Sequence, residues 1–206
     1  MTFYKVRYLL ILFILFFIAS LVFIISGLAN GLSMDNASSI KNINAESFFL
    51  DKDAENRIDR SMIKMAEISK DDFSAHLQPL SISMTSIGKE KSDKDFEVTL
   101  IAVNPASFLE PIAKDGKRLS NQVNEVVLDS SLKQEGIKIG HKVKEERTGI
   151  WLEVAGFTSN QTFSHTPVAF ITFETWKGIN LEPFYSAIVV RNSSNSMEDI
   201  SNKVDD

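Results

Sequence analysis

The chain has 206 residues, with 22 Lys and Arg against 27 Asp and Glu, a formal net charge of −5, and no cysteine. The lack of cysteine excludes a disulfide framework and a thiolate metal site. The acidic balance argues against nucleic acid and against anionic lipid headgroups as partners.

Met1 to Arg7 is a short lead that carries Lys5 and Arg7. From Tyr8 to Met34 follow 27 residues without a charge, about 40 Å of helix at a rise of about 1.5 Å per residue. A hydrocarbon core of about 30 Å needs about 20 residues, so the run predicts a helix that crosses a bilayer and continues past it. Secretory signals have apolar regions of about 7–15 residues. This run is longer, and a retained anchor is expected. Lys5 and Arg7 on the short side put the N-terminus in the cytoplasm and everything beyond Asp35 outside. With Lys5, Arg7 and Asp35 set aside, the remaining chain has 20 basic and 26 acidic residues, and its length suits one ordinary domain. The expected division is a lead at 1–7, the membrane helix and its outer extension at 8–34, a linker at 35–45, a mixed α/β (α+β) domain at 46–191, and a polar tail at 192–206.

Within the outer part, Glu46 to Leu50 reads as a first strand and Arg57 to Ile63 as a second, by alternation. Ser69 is placed to cap a short helix with Phe73 and Leu77 on one face, ended by Pro79. Leu80 to Ile87 alternates as a half-buried strand; Phe96 to Val103 alternates and then turns wholly apolar. Pro105 to Leu119 is expected to be loop with a short edge. Asn124 to Leu128 predicts a strand, Asp129 a cap for a short helix to Glu135, Gly136 its stop, Gly140 a tight turn, and His141 to Val143 a strand. Gly149 to Phe157 and Thr166 to Ile171 are further strands. A helix over Thr172 to Gly178 and a strand over Phe184 to Val190 complete the domain. Ser194 or Asn195 caps a last helix with Met197, Ile200 and Val204 on one face. The candidate core is Phe48, Ile82, Phe96, Leu100, Val127, Trp151, Val154, Phe170 and Val189.

A basic lead, one membrane helix ending in Ser26-Gly-Leu-Ala-Asn-Gly-Leu32, and an outer domain with Glu125-Val-Val-Leu128, Gly136-Ile-Lys-Ile-Gly-His-Lys-Val143 and Leu152-Glu-Val-Ala-Gly-Phe157 resemble the FtsX/MacB superfamily of ABC-transporter permeases. The end of the helix resembles in particular the haem-exporter permeases of Gram-positive bacteria. This resemblance implies an outer domain of the MacB-like periplasmic core type. It also implies a permease that forms a homodimer in the lipid bilayer and pairs with a cytoplasmic ABC ATPase, with haem as the transported ligand. Such permeases carry three further membrane helices. After Asp35 no uncharged apolar run here approaches 18 residues, so the chain is expected to be the N-terminal part of one, from a truncated gene, a split reading frame or an expressed fragment.

The residues give little sign of catalysis. No phosphate-binding G-x-x-x-x-G-K-[ST] loop occurs, so ATP hydrolysis belongs to another polypeptide. His76, His141 and His165 match no metal spacing, and Ser164-His165 lacks the turn motif of a nucleophile. No catalytic residue, no resident cofactor and no metal site is expected. The remaining readings are a transport subunit or a single-pass anchored outer module that binds without transport.

One stretch of the membrane helix carries a mechanism. Gly27 and Gly31, at i and i+4, leave a groove for a partner backbone, or else mark the helix exit. Asn30 and Met34 share one face. Met is a soft ligand for haem iron, and Asn30 or Asp35 can hydrogen-bond a propionate. Asn30, Met34 and Asp35 are therefore the candidate haem site, and Phe13, Phe16, Phe17 and Phe23 are lipid-facing or helix-packing.

Overall fold

The computed structural model describes residues 2–35, 38–43, 45–66, 68, 72–90, 92, 94–180 and 182–191. It opens with one unbroken helix, α1 (Thr2–Asp35), which starts earlier than the apolar run because nothing in the basic lead breaks it. Its stretch Lys5–Leu28 is long and apolar enough to cross a membrane, and none of it is buried against the rest of the chain. Phe23 is 78% exposed. A bilayer suits this segment, because a helix pairs its own backbone groups and leaves only apolar side chains to lipid.

The outer domain is mostly sheet. After α2 (Ser38–Lys41) come β1 (Ser47–Phe49), a 3-10 turn at Lys52–Ala54, β2 (Ile63–Lys64), β3 (Leu77–Lys89), β4 (Asp95–Val103) and β5 (Asp115–Gly116). Then follow β6 (Glu125–Asp129), a 3-10 turn at Ser130–Lys133, β7 (Lys142–Glu145), β8 (Trp151–Thr158), β9 (Thr162–Phe163) and β10 (Thr166–Thr172). Helix α3 (Phe173–Ile179), β11 (Phe184–Tyr185) and β12 (Ala187–Val190) complete it.

The main sheet runs β1-β12-β3-β4-β10-β6-β8-β5, with β7 joining both β3 and β8. That double pairing closes a circuit of six strands, β3-β4-β10-β6-β8-β7. Two neighbours in it, β4 with β10 and β6 with β8, are parallel; the others are antiparallel. The long strand β3 makes the closure possible: its first residues pair with β12 and its last three with β7.

Successive strand residues face opposite ways, and here both faces are covered. Val98, Leu100, Val126, Leu128, Val154 and Trp176 belong to one buried cluster. Ile82, Ile101, Val103, Val127, Phe170 and Val189 belong to a second, covered by Ile40, Phe48 and Ile58 from the segments before β3 and by Leu109 from the loop after β4. This double cover explains why β4 turns wholly apolar after Thr99 instead of alternating.

Several expectations are corrected. Trp151 is 43% exposed and outside the core, because it begins β8 at the rim. Phe48 and Phe96 are only partly buried. Arg57 to Arg60 form turns, held by Arg57 N–H to Ala54 O and Arg60 N–H to Arg57 O, and only Ile63–Lys64 is strand. Their alternation reflects charged side chains on a surface turn rather than a pleat. Leu77 and Pro79 belong to β3, and Phe73 is not helical; Ser69 lies outside the described residues. Pro79 is tolerated because pairing with β4 starts only at Ser81, so the ring faces an unpaired edge. The predicted strand at Phe184 to Val190 is split at Ser186, whose Oγ accepts from Ile82 N–H at 2.9 Å. The tail helix with Met197, Ile200 and Val204 also lies outside the described residues.

Gly156 sits where β5 crosses close over β8. A Cβ there would stand 2.4 Å from Lys117 O and 2.7 Å from Asp115 O, both backbone atoms. Gly156→Ala is expected to displace β5 and to cost about 1–3 kcal/mol, read as a lower urea midpoint with unchanged slope. An unaltered midpoint would mean that β5 yields without cost.

Candidate functional site at the membrane exit

Helix α1 passes without a break through Gly27, Asn30, Gly31, Met34 and Asp35. The glycines therefore do not end the helix, and the apolar span closes at Leu28, between them. Gly27 and Gly31 lie on one face, as do Asn30 and Met34, by their spacing of four. A Cβ at Gly27 would meet nothing within 4 Å. The side chains of Asn30, Met34 and Asp35 lie outside the described residues, so only their places along the helix are fixed.

The chain leaves α1 and is tied to the outer domain at once. Ser38 Oγ donates to Asn160 O at 2.9 Å and accepts from Thr162 N–H at 2.9 Å. Ser39 Oγ donates to Thr162 O at 2.9 Å, and Asn42 Nδ2 donates to Asn160 O at 3.1 Å. Ile40 and Ile43 pack against the second cluster. The segment expected to be a plain linker is thus a docked turn of helix, hydrogen-bonded along β9. Its signal in the sequence was the Ile40 and Ile43 pair, one helical turn apart, behind two short hydroxyl side chains.

The titratable groups of the outer domain hold loops in place. Asp129 caps its 3-10 turn by accepting from Ser131 N–H at 2.9 Å, and its other oxygen accepts from Gln161 N–H at 2.9 Å. Glu145 is fully buried. It accepts from Thr85 Oγ1, from Thr148 N–H at 2.8 Å and from Thr148 Oγ1 at 2.5 Å, with Arg147 Nε 3.8 Å away. Burial alone would raise its pKa; the hydrogen bonds from Thr148 and Thr85 outweigh burial and hold it below the ordinary value. Burial raises the Tyr185 phenol.

The histidines stay apart. His76 Nδ1 is 3.1 Å from Arg191 O, His141 Nδ1 accepts from Lys138 N–H at 3.2 Å, and His165 is exposed. Ser164 and His165, at φ 50° and 66°, form the two-residue turn between β9 and β10, the left-handed geometry that tight hairpins require. Among the described residues no group of His, Asp and Glu could hold a metal ion.

No family model matches the chain. It is 26% identical over 178 residues to the hemin transport system permease protein HrtB of Staphylococcus haemolyticus, covering 86% of this chain and 49% of that protein. It is 30% identical over 166 residues to HrtB of Staphylococcus epidermidis, covering 81% of this chain and 46% of that protein. The chain thus spans about half the length of the curated relatives it matches. In structure it is similar to the periplasmic region of MacB from Actinobacillus actinomycetemcomitans, with a TM-score of 0.56 and 16% identity over 81% of this chain and 86% of that one. It is also similar to the extracellular domain of the ABC-type transporter YknZ from Gram-positive bacteria, with a TM-score of 0.51 and 15% identity over 76% of this chain and 86% of that one. The resemblance read from the sequence is borne out, and so is the fold class: one apolar helix followed by a MacB-like outer domain. The apolar helix and the permease relatives together place the chain at a membrane.

Proposed function

Because the chain is related to hemin transport permeases and carries the fold of a MacB periplasmic region, we propose that it supplies the first membrane span and the extracytoplasmic domain of an ABC-type hemin export permease. The observation that carries this reading is the sequence relationship, which extends over four-fifths of the chain or more. ATP hydrolysis resides in a separate cytoplasmic ATPase chain, and two copies of the permease pair through the Gly27/Gly31 face of α1, where small residues let backbones approach. Lys5 and Arg7 support a cytoplasmic N-terminus.

The hemin-handling site lies at the outer end of α1, at Asn30, Met34 and Asp35. Hemin is a flat apolar ring with two propionates and partitions into bilayers. It is best taken up where helix and interface overlap, by a soft ligand beside a close helix contact. The test is hemin accumulation in cells that carry the assembled permease with its ATPase, alongside hemin binding by the purified dimer. Cells should hold less hemin than cells with an ATPase-inactive complex. Met34→Ala should weaken hemin binding by about tenfold, equivalent to about 1.4 kcal/mol, and shift its absorption bands. His76→Ala, His141→Ala and His165→Ala should change neither. Equal accumulation in both cell types would favour an anchored binding module. Loss of the spectrum in a histidine variant, with Met34→Ala intact, would move the site to the outer domain.

A further inference from the structure

A cavity of about 450 Å³ lies between the α2 segment, the loop after β4 and the turn after β8. Small-molecule sites occupy about 300–1,000 Å³. Its apolar lining comes from Ile43, Phe108, Leu109 and Phe170, with the exposed Ile112 at its edge. The cavity lies on the membrane side of the chain's connectivity: Ser39, in its wall, is at most about 14 Å of extended chain from Asp35, the last residue of α1, and Asp35 is about 10 Å of helix beyond Leu28, where the apolar span ends.

Two charged residues line it, and they differ. Glu110 is buried; its Oε2 accepts from Ala106 N–H at 2.8 Å and its Oε1 from Leu119 N–H at 3.0 Å, with Arg118 Nε 3.6 Å away. Its charge is satisfied within its own loop. Lys114 is exposed at the rim, fixed by its backbone N–H on Phe157 O at 2.8 Å, and its ammonium has no partner among the described residues. Ser159 Oγ, in the same lining, is buried without a hydrogen-bond partner among the described residues, and one χ1 rotation redirects it. An apolar floor with one uncommitted cation and one uncommitted hydroxyl suits an apolar body ending in a carboxylate. The lining contains no His, Met or Cys, so no bond to a metal is part of the recognition.

We propose that this cavity binds an apolar carboxylate drawn from the membrane, its body on Phe108, Leu109 and Phe170 and its anionic end on Lys114 and Ser159. Fatty acids and porphyrins with their propionates share that chemistry. The proposal goes beyond the transport reading and does not need it: the hemin assay can fail with this site intact, and the reverse.

The experiment uses the full chain in phosphatidylcholine nanodiscs with a photoreactive dodecanoate, its adducts mapped by mass spectrometry. Adducts are expected within residues 108–114 and 158–161. Lys114→Glu should reduce them at least about tenfold, a loss of about 1.4 kcal/mol in binding, and Lys114→Arg should keep them. The matching dodecanol should label weakly and ignore the Lys114 variants. Suppression by excess iron-free protoporphyrin assigns the site to both carboxylate sources; no suppression assigns it to fatty acids alone. Lys114 is exposed and unpaired, so its replacement does not threaten the fold. Adducts confined to α1, or equal labelling in Lys114→Glu, would overturn the proposal.

Discussion

Trp176→Ala should cost the outer domain about 3–5 kcal/mol, enough to unfold much of it if its total stability lies near the lower end of about 5–15 kcal/mol. Trp176 is fully buried on α3, and its ring meets Phe184 edge-on at 5.5 Å. Removing it leaves a void beneath the sheet that α3 covers. The same side chain carries a cost of its own, since its indole Nε1–H is buried without a hydrogen-bond partner among the described residues. An unsatisfied buried donor costs about 1–3 kcal/mol. Trp176→Phe removes that donor while keeping an aromatic ring, and should therefore lose less than half as much as the alanine variant. Urea unfolding followed by far-UV circular dichroism measures both. Equal losses would show that the indole N–H finds a partner in solution.

Glu145→Ala should cost about 3 kcal/mol, the lower end of what breaking a buried charged contact costs. Its carboxylate gathers Thr85 from β3 with Thr148 and Arg147 from the turn before β8, at the point where β7 closes the strand circuit. For a domain of this size the melting temperature should fall by roughly 10 °C, at about 2–4 °C per kcal/mol. The pH dependence has a definite sign. The folded carboxyl titrates below its ordinary value of 4.5, so its contribution is complete above the unfolded value and is lost as pH falls through the folded one. Stability should therefore drop as pH falls below about 4.5, and Glu145→Gln should flatten that drop. Asp59 and Asp115, lowered by Arg57 and Lys133, act in the same direction. They are exposed ion pairs screened by solvent, so salt should weaken their share and leave that of Glu145. An unchanged acid limb in Glu145→Gln would place the loss elsewhere.

Much of this architecture was legible in the sequence, for local reasons. Asp129, Gly136 and Gly140 announce their turn by cap chemistry and by positive φ, and the glycines adopt 80° and 78°. Thr172 caps α3 by accepting from Thr175 N–H at 3.3 Å. The errors occur where tertiary pairing overrides a local signal. Ser69 and the spacing of Phe73 and Leu77 suggest a helix, yet Leu77 and Pro79 are held in β3 by β12, a partner more than a hundred residues away. The closure by β7 was not legible at all, because no periodicity records that one strand serves two neighbours. In the candidate site, the spacing of Gly27, Asn30, Gly31 and Met34 was readable as faces of one helix. The docking of Ser38 and Ser39 on β9 was not, since short hydroxyl residues read equally as linker.

The position of α2 has a mechanical consequence. β1 begins at Ser47 beside Val190, the last residue of β12. Tension delivered directly to Ser47 would peel that pair open one bond at a time, its weakest mode of loading. The contacts of Ser38, Ser39 and Asn42 intercept such a pull before it reaches β1 and pass it to β9 and then to β10. β10 is braced by β4 on one side and β6 on the other. A tug on α1 would therefore be borne by the middle of the sheet, where each strand has two neighbours, instead of by the β1 edge.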